Sequence, residues 1–440
     1  MSKKRNTGSE SSRRDLARSA VAAYAAAATG LPTKLLARAI PDTSREAPER
    51  EQKHPRGWRR NWTIPAEYYT DPERYLFDER LVADHFWLMV DHESRIPDPG
   101  DYFVFEYGRS ESVIILRDEA DAVRAYYNVC RHRGSRLCRH NGDAIPEDPR
   151  LSVRQSGQTG NTPVFRCPYH AWTYDLDGKL VYAYGMQEDF DAADNGLIPC
   201  HVRTADGFIF VNLSRESEPP EFDSAIEPFR RKVGQRHGTA QLKVGERVVV
   251  PMHANWKLAL ENFLECYHCG PSHQYLCDVH PGSDLTVPGK RVWWAEDFVS
   301  GTMDGKPAAP LLPAIKRVRV TQSETATGFS SSYWLGYDDY VLSVRFTPRD
   351  VDLTDVECLW LVHPDAKRDV DYDPDRLKEL WLVTLLEDIW LCENNHAGIR
   401  SGAYQSGRYG NHELGKVMPA GFIRWYMAAV AGEIGPALPY

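Results

Sequence analysis

Cys130-Arg131-His132 and Cys167-Pro168-Tyr169-His170 each set one thiol and one imidazole in a short stretch, and together they hold enough ligands for a four-coordinate metal centre. Structural zinc is one such centre, but zinc sites draw more often on Cys-Cys and His-His pairs. Mixed pairs suit a two-iron, two-sulfide cluster in which one iron takes both thiolates and the other both imidazoles. Cys138-Arg139-His140 is a further Cys-x-His pair close by, and spacing alone does not choose between it and Cys130/His132.

A second constellation runs from Asn255 to His273 and reads NWKLALENFLECYHCGPSH. Glu261, Glu265 and His268 recur at helical spacing, which predicts a helix over 257–268 with all three on one face. Gly270 and Pro271 would end that helix and let His273 fold back toward His268. Two His and one carboxylate on one side make a ferrous site that keeps positions open for dioxygen and substrate. The best source of the acid is Glu387-Asp388, because Asp375–Glu393 reads as a helix apolar nearly all round, where a carboxylate needs a cation or hydrogen-bond donors. Helical geometry does not choose between the two acids.

The elements that must position these groups are short strands followed by an α+β unit. Tyr102–Phe105, Ser112–Leu116 and Ala125–Val129 read as antiparallel strands, the last leading directly into Cys130, and Gly207–Asn212 reads as another. Beyond a charged, Pro-containing boundary at Glu216–Phe222, strands are expected at Val244–Met252, Tyr333-Trp334 and Tyr340–Arg345. The chain of 440 residues, 42% hydrophobic and 26% charged, is long enough for two or three folded units, and its net charge of −9 argues against nucleic acid as the main partner. Nine cysteines, several beside histidines, point to metal and a reducing, cytoplasmic setting rather than disulfides. Arg13-Arg14 before Ala20–Ala28 has some look of a twin-arginine export signal; the plainer reading is a flexible arm with one Ala-rich helix, too short to span a membrane.

CRHRG at Cys130–Gly134 and CPYHAW at Cys167–Trp172, taken with the Asn255–His273 motif, resemble the Rieske non-haem iron oxygenases, alpha (oxygenase) subunit, across roughly Gly57 to Tyr426. Glu-Cys-Tyr-His-Cys at 265–269 and Leu391–Asn395 are most similar to the branch acting on glycine betaine, choline and carnitine. The stretch from Arg133 to Arg166 is longer than is usual there, and Gly142–Asn161 is the segment expected to loop outward. The resemblance implies a flexible arm over 1–56, a β-rich Rieske [2Fe-2S] domain over 57–215 and a helix-grip (START-like) catalytic domain with an antiparallel sheet over 216–440.

By the same resemblance Cys130, His132, Cys167 and His170 would bind the cluster, and His268, His273 and Asp388 a mononuclear Fe(II). Glu265, with Asn262 beside it, would act catalytically as the carboxylate linking the iron to the cluster of a neighbouring subunit. The implied protein is the terminal oxygenase of a homotrimer. It would take O2 and a small substrate, with electrons from NAD(P)H through a separate flavin/iron-sulfur reductase, since no Gly-x-Gly-x-x-Gly fingerprint stands in a strand-to-helix context. The expected reaction is hydroxylation and N-demethylation of a quaternary amine. The alternative is an aromatic-ring dioxygenase forming a cis-diol, while an electron-transfer Rieske protein or a zinc-binding interaction protein would lack the second iron. An aromatic cage for a methylammonium group can be drawn from Tyr267, Trp293, Trp294, Tyr333 and Trp334.

Overall fold

A computed structural model of the chain describes residues 58–139, 155–280, 283, 300–316, 324–328, 332–414 and 418–432. The N-terminal arm, His140, Trp293, Trp294 and most of the segment expected to loop outward lie outside these residues.

Two helices open the described chain, α1 (Glu67–Thr70) and α2 (Pro72–His85). Asp71 starts α2 by accepting from the Glu73 N–H, with Pro72 at the first helical position, where its missing N–H costs nothing. Strands β1 (Leu88–His92), β9 (His201–Ala205) and β10 (Phe208–Asn212) form an antiparallel sheet in the order β1-β10-β9. A second sheet, ordered β4-β3-β2-β5, joins β2 (Asp101–Tyr107), β3 (Glu111–Arg117), β4 (Val123–Tyr127) and β5 (Thr159–Asn161). Register pairs Phe103 with Ile115 and Phe105 with Val113, the aromatic and β-branched cross-strand contacts that favour strand over helix. The end of the long inter-loop stretch thus does not loop out: Thr159–Asn161 returns as an exposed edge strand on β2. A small sheet of β6 (Phe165–Arg166), β7 (Thr173–Tyr174) and β8 (Leu180–Tyr182) completes this half.

After a short helix α3 (Asp223–Phe229), a five-stranded antiparallel sheet runs in the order β11-β15-β14-β13-β12, from β11 (Lys243–Met252), β12 (Glu324–Gly328), β13 (Ser332–Gly336), β14 (Val341–Asp350) and β15 (Leu353–Val362). Helices α4 (Trp256–Phe263), α5 (Cys269–Ser272), α6 (Gln274–Val279), α7 (Pro374–Ile399) and α8 (Pro419–Val430) accompany it. α7 packs against β11, α4 and α6. It begins at Asp373, whose side chain accepts from the Asp375 and Arg376 N–H groups. Its buried face is Leu377, Leu380/Trp381, Thr384/Leu385, Asp388/Ile389, Cys392 and His396, one stripe at helical period. The expectation of a helix buried nearly all round is therefore corrected, since Trp390 is 61% exposed.

Charge and packing fasten the two halves together. Asp91 of β1, fully buried, pairs with Arg247 of β11 at 2.7 Å and with Arg95 at 2.5 Å, while Glu357 of β15 bridges Arg247 and Arg345. Lys257 of α4 meets Asp78 of α2 at 2.5 Å, both side chains fully buried, and the Tyr426 hydroxyl donates to the same carboxylate at 2.7 Å. One apolar core is continuous from α2 and β2–β3 through α4 and the large sheet to α7 and α8. No described helix is long and apolar enough to cross a membrane.

Candidate functional site: two metal-ligand clusters

The first cluster is built by two loops, one after β4 and one between β6 and β7. β4 leads into Cys130, whose carbonyl accepts from the Gly134 N–H at 3.0 Å, and Gly134 turns the chain back at φ +75°. Between β6 and β7 the Cys167 N–H donates to Trp172 O at 2.7 Å, and Ala171 sits at φ +61°, a left-handed position that costs a non-glycine residue about 1–2 kcal/mol. The thiols of Cys130 and Cys167 are buried and in contact, and the Tyr174 hydroxyl lies 3.3 Å from the Cys130 sulfur. Outside them, His132 and His170 are exposed with ring centres 4.6 Å apart, and His132 stacks on Trp172 at 4.8 Å and 9°. Sulfur with sulfur inside and nitrogen with nitrogen outside is the donor arrangement that a mixed-ligand [2Fe-2S] cluster requires. Burial raises the Cys130 thiol above its ordinary value, so binding metal there must displace a proton.

Cys138 is not part of this arrangement. Its side chain is fully buried in the apolar core under the loops, its thiol is pushed up by burial alone, and its backbone is held by Asn128.

The second cluster lies where α4 ends. The helix expected over 257–268 stops at Phe263, with Leu264 as its C-cap, so Glu261, Glu265 and His268 do not share a helical face. Glu261 instead takes hydrogen bonds from the Tyr69 hydroxyl at 2.6 Å and from the Tyr409 hydroxyl, and burial raises its pKa to about 7. Glu265 breaks the helix: its Oε2 accepts from the Tyr267 and His268 N–H groups, which would otherwise have reached back along the helix. Gly270 and Pro271 do not terminate a helix either; they stand inside α5, in the first turn, where proline's missing N–H is harmless. His268 precedes α5 and His273 follows it, which brings their ring centres to 5.1 Å.

Both Nε2 atoms converge on one oxygen. Asp388 Oδ1 lies 3.1 Å from His268 Nε2 and 3.0 Å from His273 Nε2. The opposite nitrogens are also held: His268 Nδ1 donates to Glu265 Oε1 at 2.5 Å, and His273 Nδ1 to Glu387 Oε2 at 2.7 Å. Asn262 Nδ2 is 3.4 Å from His268 Nε2. Glu387 thus faces the back of an imidazole, a part the sequence reading did not assign to it; its neighbour Asp388 on the buried stripe of α7 was the only signal. Burial disfavours the charged imidazoles, but the carboxylates outweigh it and hold His268 up at about 10 and His273 at about 9. Burial likewise disfavours the Asp388 anion, and the two histidines overcome it and keep its pKa below the ordinary value.

This donor set fits a two-His, one-carboxylate ferrous site, with the outer nitrogens oriented by carboxylates as metal-bound imidazoles generally are. The Cys269 thiol is a rival ligand, since it, His268 and His273 offer atoms within 4.8 Å of one another. We favour Asp388, which is anionic and touches both Nε2 atoms, over a thiol raised by its contact with Cys266 and by burial.

Among the described members of the aromatic cage, Tyr267, Tyr333 and Trp334 do not come together; Trp293 and Trp294 lie outside the described residues. Tyr333 and Trp334 are neighbours on β13 and face opposite ways: Tyr333 stacks on Phe263 at 3.6 Å, while Trp334 packs with Phe208 and Phe229 in another core. Tyr267 is 54% exposed beside His412.

Residues 86–197 match the Rieske [2Fe-2S] domain, and residues 239–432 the ring hydroxylating alpha subunit (catalytic domain). The glycine betaine monooxygenase oxygenase subunit of Chromohalobacter salexigens is 31% identical over 86% of this chain and 88% of its own. The carnitine monooxygenase oxygenase subunit of Acinetobacter baumannii is 33% identical over 49% of this chain and 54% of its own. The crystal structure of the quaternary ammonium Rieske monooxygenase CntA with L-carnitine shares the fold, with a TM-score of 0.61 at 23% identity, covering 85% of this chain and 96% of that one.

Proposed function

The chain belongs to the Rieske oxygenase alpha subunits, and on that premise we propose that it is a terminal oxygenase that hydroxylates an N-methyl carbon of a quaternary amine such as a betaine. The observation that carries the chemistry is the convergence of His268 and His273 Nε2 on Asp388 Oδ1 at 3.1 and 3.0 Å. The likeness to the glycine betaine enzyme along most of both chains supports the substrate class.

In this reading Cys130, His132, Cys167 and His170 hold the [2Fe-2S] cluster, and His268, His273 and Asp388 hold ferrous iron. Residues 57–215 and 216–440 are the respective domains. Bound there, the two centres supply electron transfer and activation of dioxygen for insertion into a C–H bond. The protein's own residues do the positioning. Glu265 and Glu387 fix the imidazoles with Nε2 inward, Asn262 stands beside His268, and Phe263 at the end of α4 stacks on Tyr333, which feels the Asp388 charge. Electrons come from NAD(P)H through a separate reductase, and the exposed His132 and His170 suit transfer between subunits of a cytoplasmic homotrimer. The hydroxylated N-methyl group is a cationic carbinolamine, which loses its hydroxyl proton as the C–N bond breaks and gives formaldehyde and a tertiary amine.

The test is oxygen consumption with a matched reductase over glycine betaine, carnitine, choline and aromatic acids. Stoichiometric formaldehyde from a methylammonium substrate is the expected result. A cis-diol from an aromatic acid, with no turnover of any quaternary amine, overturns the reading.

A further inference from the structure

All nine cysteines are free thiols, and two pairs bring sulfur to sulfur among the described residues. Cys130 with Cys167 belongs to the cluster loops. Cys266 with Cys269 has no part in the function above, although their thiols are hydrogen-bonded to each other. The Cys269 N–H donates to Cys266 O at 3.2 Å, closing the four-residue turn Cys266-Tyr267-His268-Cys269. Such a turn keeps its end Cα atoms within about 7 Å, close to the span of about 4.4–6.8 Å that a disulfide bridges. Cys266 is partly buried and the more exposed of the two, while Cys269 is 3% exposed and shares its surroundings with both imidazoles.

We propose that Cys266 and Cys269 are a dithiol that hydrogen peroxide closes to a disulfide, and that closure releases the mononuclear iron. Two S–H bonds and the O–O bond break, one S–S bond forms, two electrons pass from sulfur to peroxide, and two waters leave. Sulfurs in hydrogen-bond contact must draw in to about 2.05 Å, a contraction of roughly 1 Å or more. His268 is inside the contracting turn, and ligand distances hold a metal only within about 0.2 Å. Closing the pair therefore pulls His268 Nε2 out of register with His273 and Asp388. The inference rests on the reading of His268 as an iron ligand.

The experiment treats the iron-loaded holoenzyme with a few equivalents of hydrogen peroxide, alkylates it, and analyses by mass spectrometry the tryptic peptide Leu258–Lys290, which also contains Cys277. The expected peptide is two hydrogens lighter and alkylated only at Cys277. Mononuclear iron should fall at least about fivefold and return with dithiothreitol and ferrous salt, whereas Cys266→Ser should keep its iron through the same treatment. Alkylation of all three cysteines, a bridge to Cys277, or sulfinic acid without a bridge overturns the dithiol. Equal iron loss from Cys266→Ser overturns the coupling. If untreated enzyme holds no mononuclear iron, the ligand reading fails and iron release with it, while the peptide mass still decides the disulfide.

Discussion

Replacing Glu265 by Gln tests the site at its tightest polar contact. The carboxylate serves two clients with two oxygens: Oε1 takes the proton of His268 Nδ1 at 2.5 Å, and Oε2 accepts from the Tyr267 and His268 backbone N–H groups. An amide has one oxygen and one NH2 group, so it can satisfy only one client. If its oxygen keeps the backbone, the NH2 faces Nδ1, which must then accept, and the proton moves to Nε2, where it blocks the metal. If its oxygen keeps Nδ1, two N–H groups of the turn meet an NH2 group and the turn that carries His268 loosens. Either way ferrous affinity should fall by about 10–100-fold, the usual cost of losing such a partner. That equals about 1.4–2.8 kcal/mol. Iron titration of the chain with its cluster intact measures the affinity, and stopped-flow reoxidation of the reduced cluster at saturating iron should slow at least about tenfold. An affinity within threefold of wild type, together with unchanged reoxidation, would refute the argument and leave Glu265 a turn residue.

Asp388→Ala or His273→Ala should remove the mononuclear iron and activity while the visible cluster spectrum persists; retention of full iron by Asp388→Ala with loss in Cys269→Ser would make the thiol the third ligand. Cys167→Ser or His170→Ala should abolish the cluster spectrum and Cys138→Ser should not, and a colourless Cys138→Ser protein would reverse that assignment. The imidazole pKa values of about 10 and 9 lie above the ordinary value of 6.5, so their stabilisation is complete below about pH 6.5 and is lost as pH rises through 9 and 10. Metal-free protein should therefore lose thermal stability from pH 7 to 10. Iron binding at pH 7 should release about two protons, measurable by calorimetry in buffers of different ionisation enthalpy, and release of none would contradict the geometry. Lys257→Met leaves Asp78 charged and unpaired in the core and should cost about 3–5 kcal/mol in chemical denaturation, with much of that recovered by adding Asp78→Leu; a neutral single variant would show that the pair is not buried in solution.

The candidate ligands could be picked out because metal chemistry restricts such groups to a few residue types at short spacing, and the strands because β-branched and aromatic runs such as Val113–Leu116 have no competing reading. The local path of the chain was less legible. Glu261, Glu265 and His268 fall at helical intervals, yet the Glu265 side chain takes over backbone donors and ends α4 at Phe263, a competition that periodicity does not reveal. Pro271 looked like a terminator but lies in a first turn, and a four-residue helix is too short to leave a periodicity to detect. The pairing of Glu387 with His273 and of Glu261 with Tyr69 and Tyr409 depends on which elements meet across more than a hundred residues, and nothing local encodes it.

Charge balance accounts for how the second cluster can be packed in a largely buried place with or without metal. Three carboxylates, Glu265, Glu387 and Asp388, surround two imidazoles. Without metal the carboxylates keep both imidazoles protonated, so two positive charges stand against three negative ones. If His268, His273 and Asp388 hold a ferrous ion as proposed, both Nε2 protons would leave and two positive charges would take their place, so the net charge of these five groups would be one negative in either state. Exchanging protons for metal therefore places no new net charge in a low-dielectric region, which is the term that makes buried ions expensive. Neutralising any one carboxylate breaks the balance unequally. Loss of Asp388 would remove a proposed ligand, whereas loss of Glu387, whose side chain is 35% exposed, would leave water to replace part of its field. Glu387→Gln should accordingly weaken iron binding less than Glu265→Gln, whose carboxylate is 11% exposed, and a larger loss at Glu387 in the same titration would show that burial does not set the order.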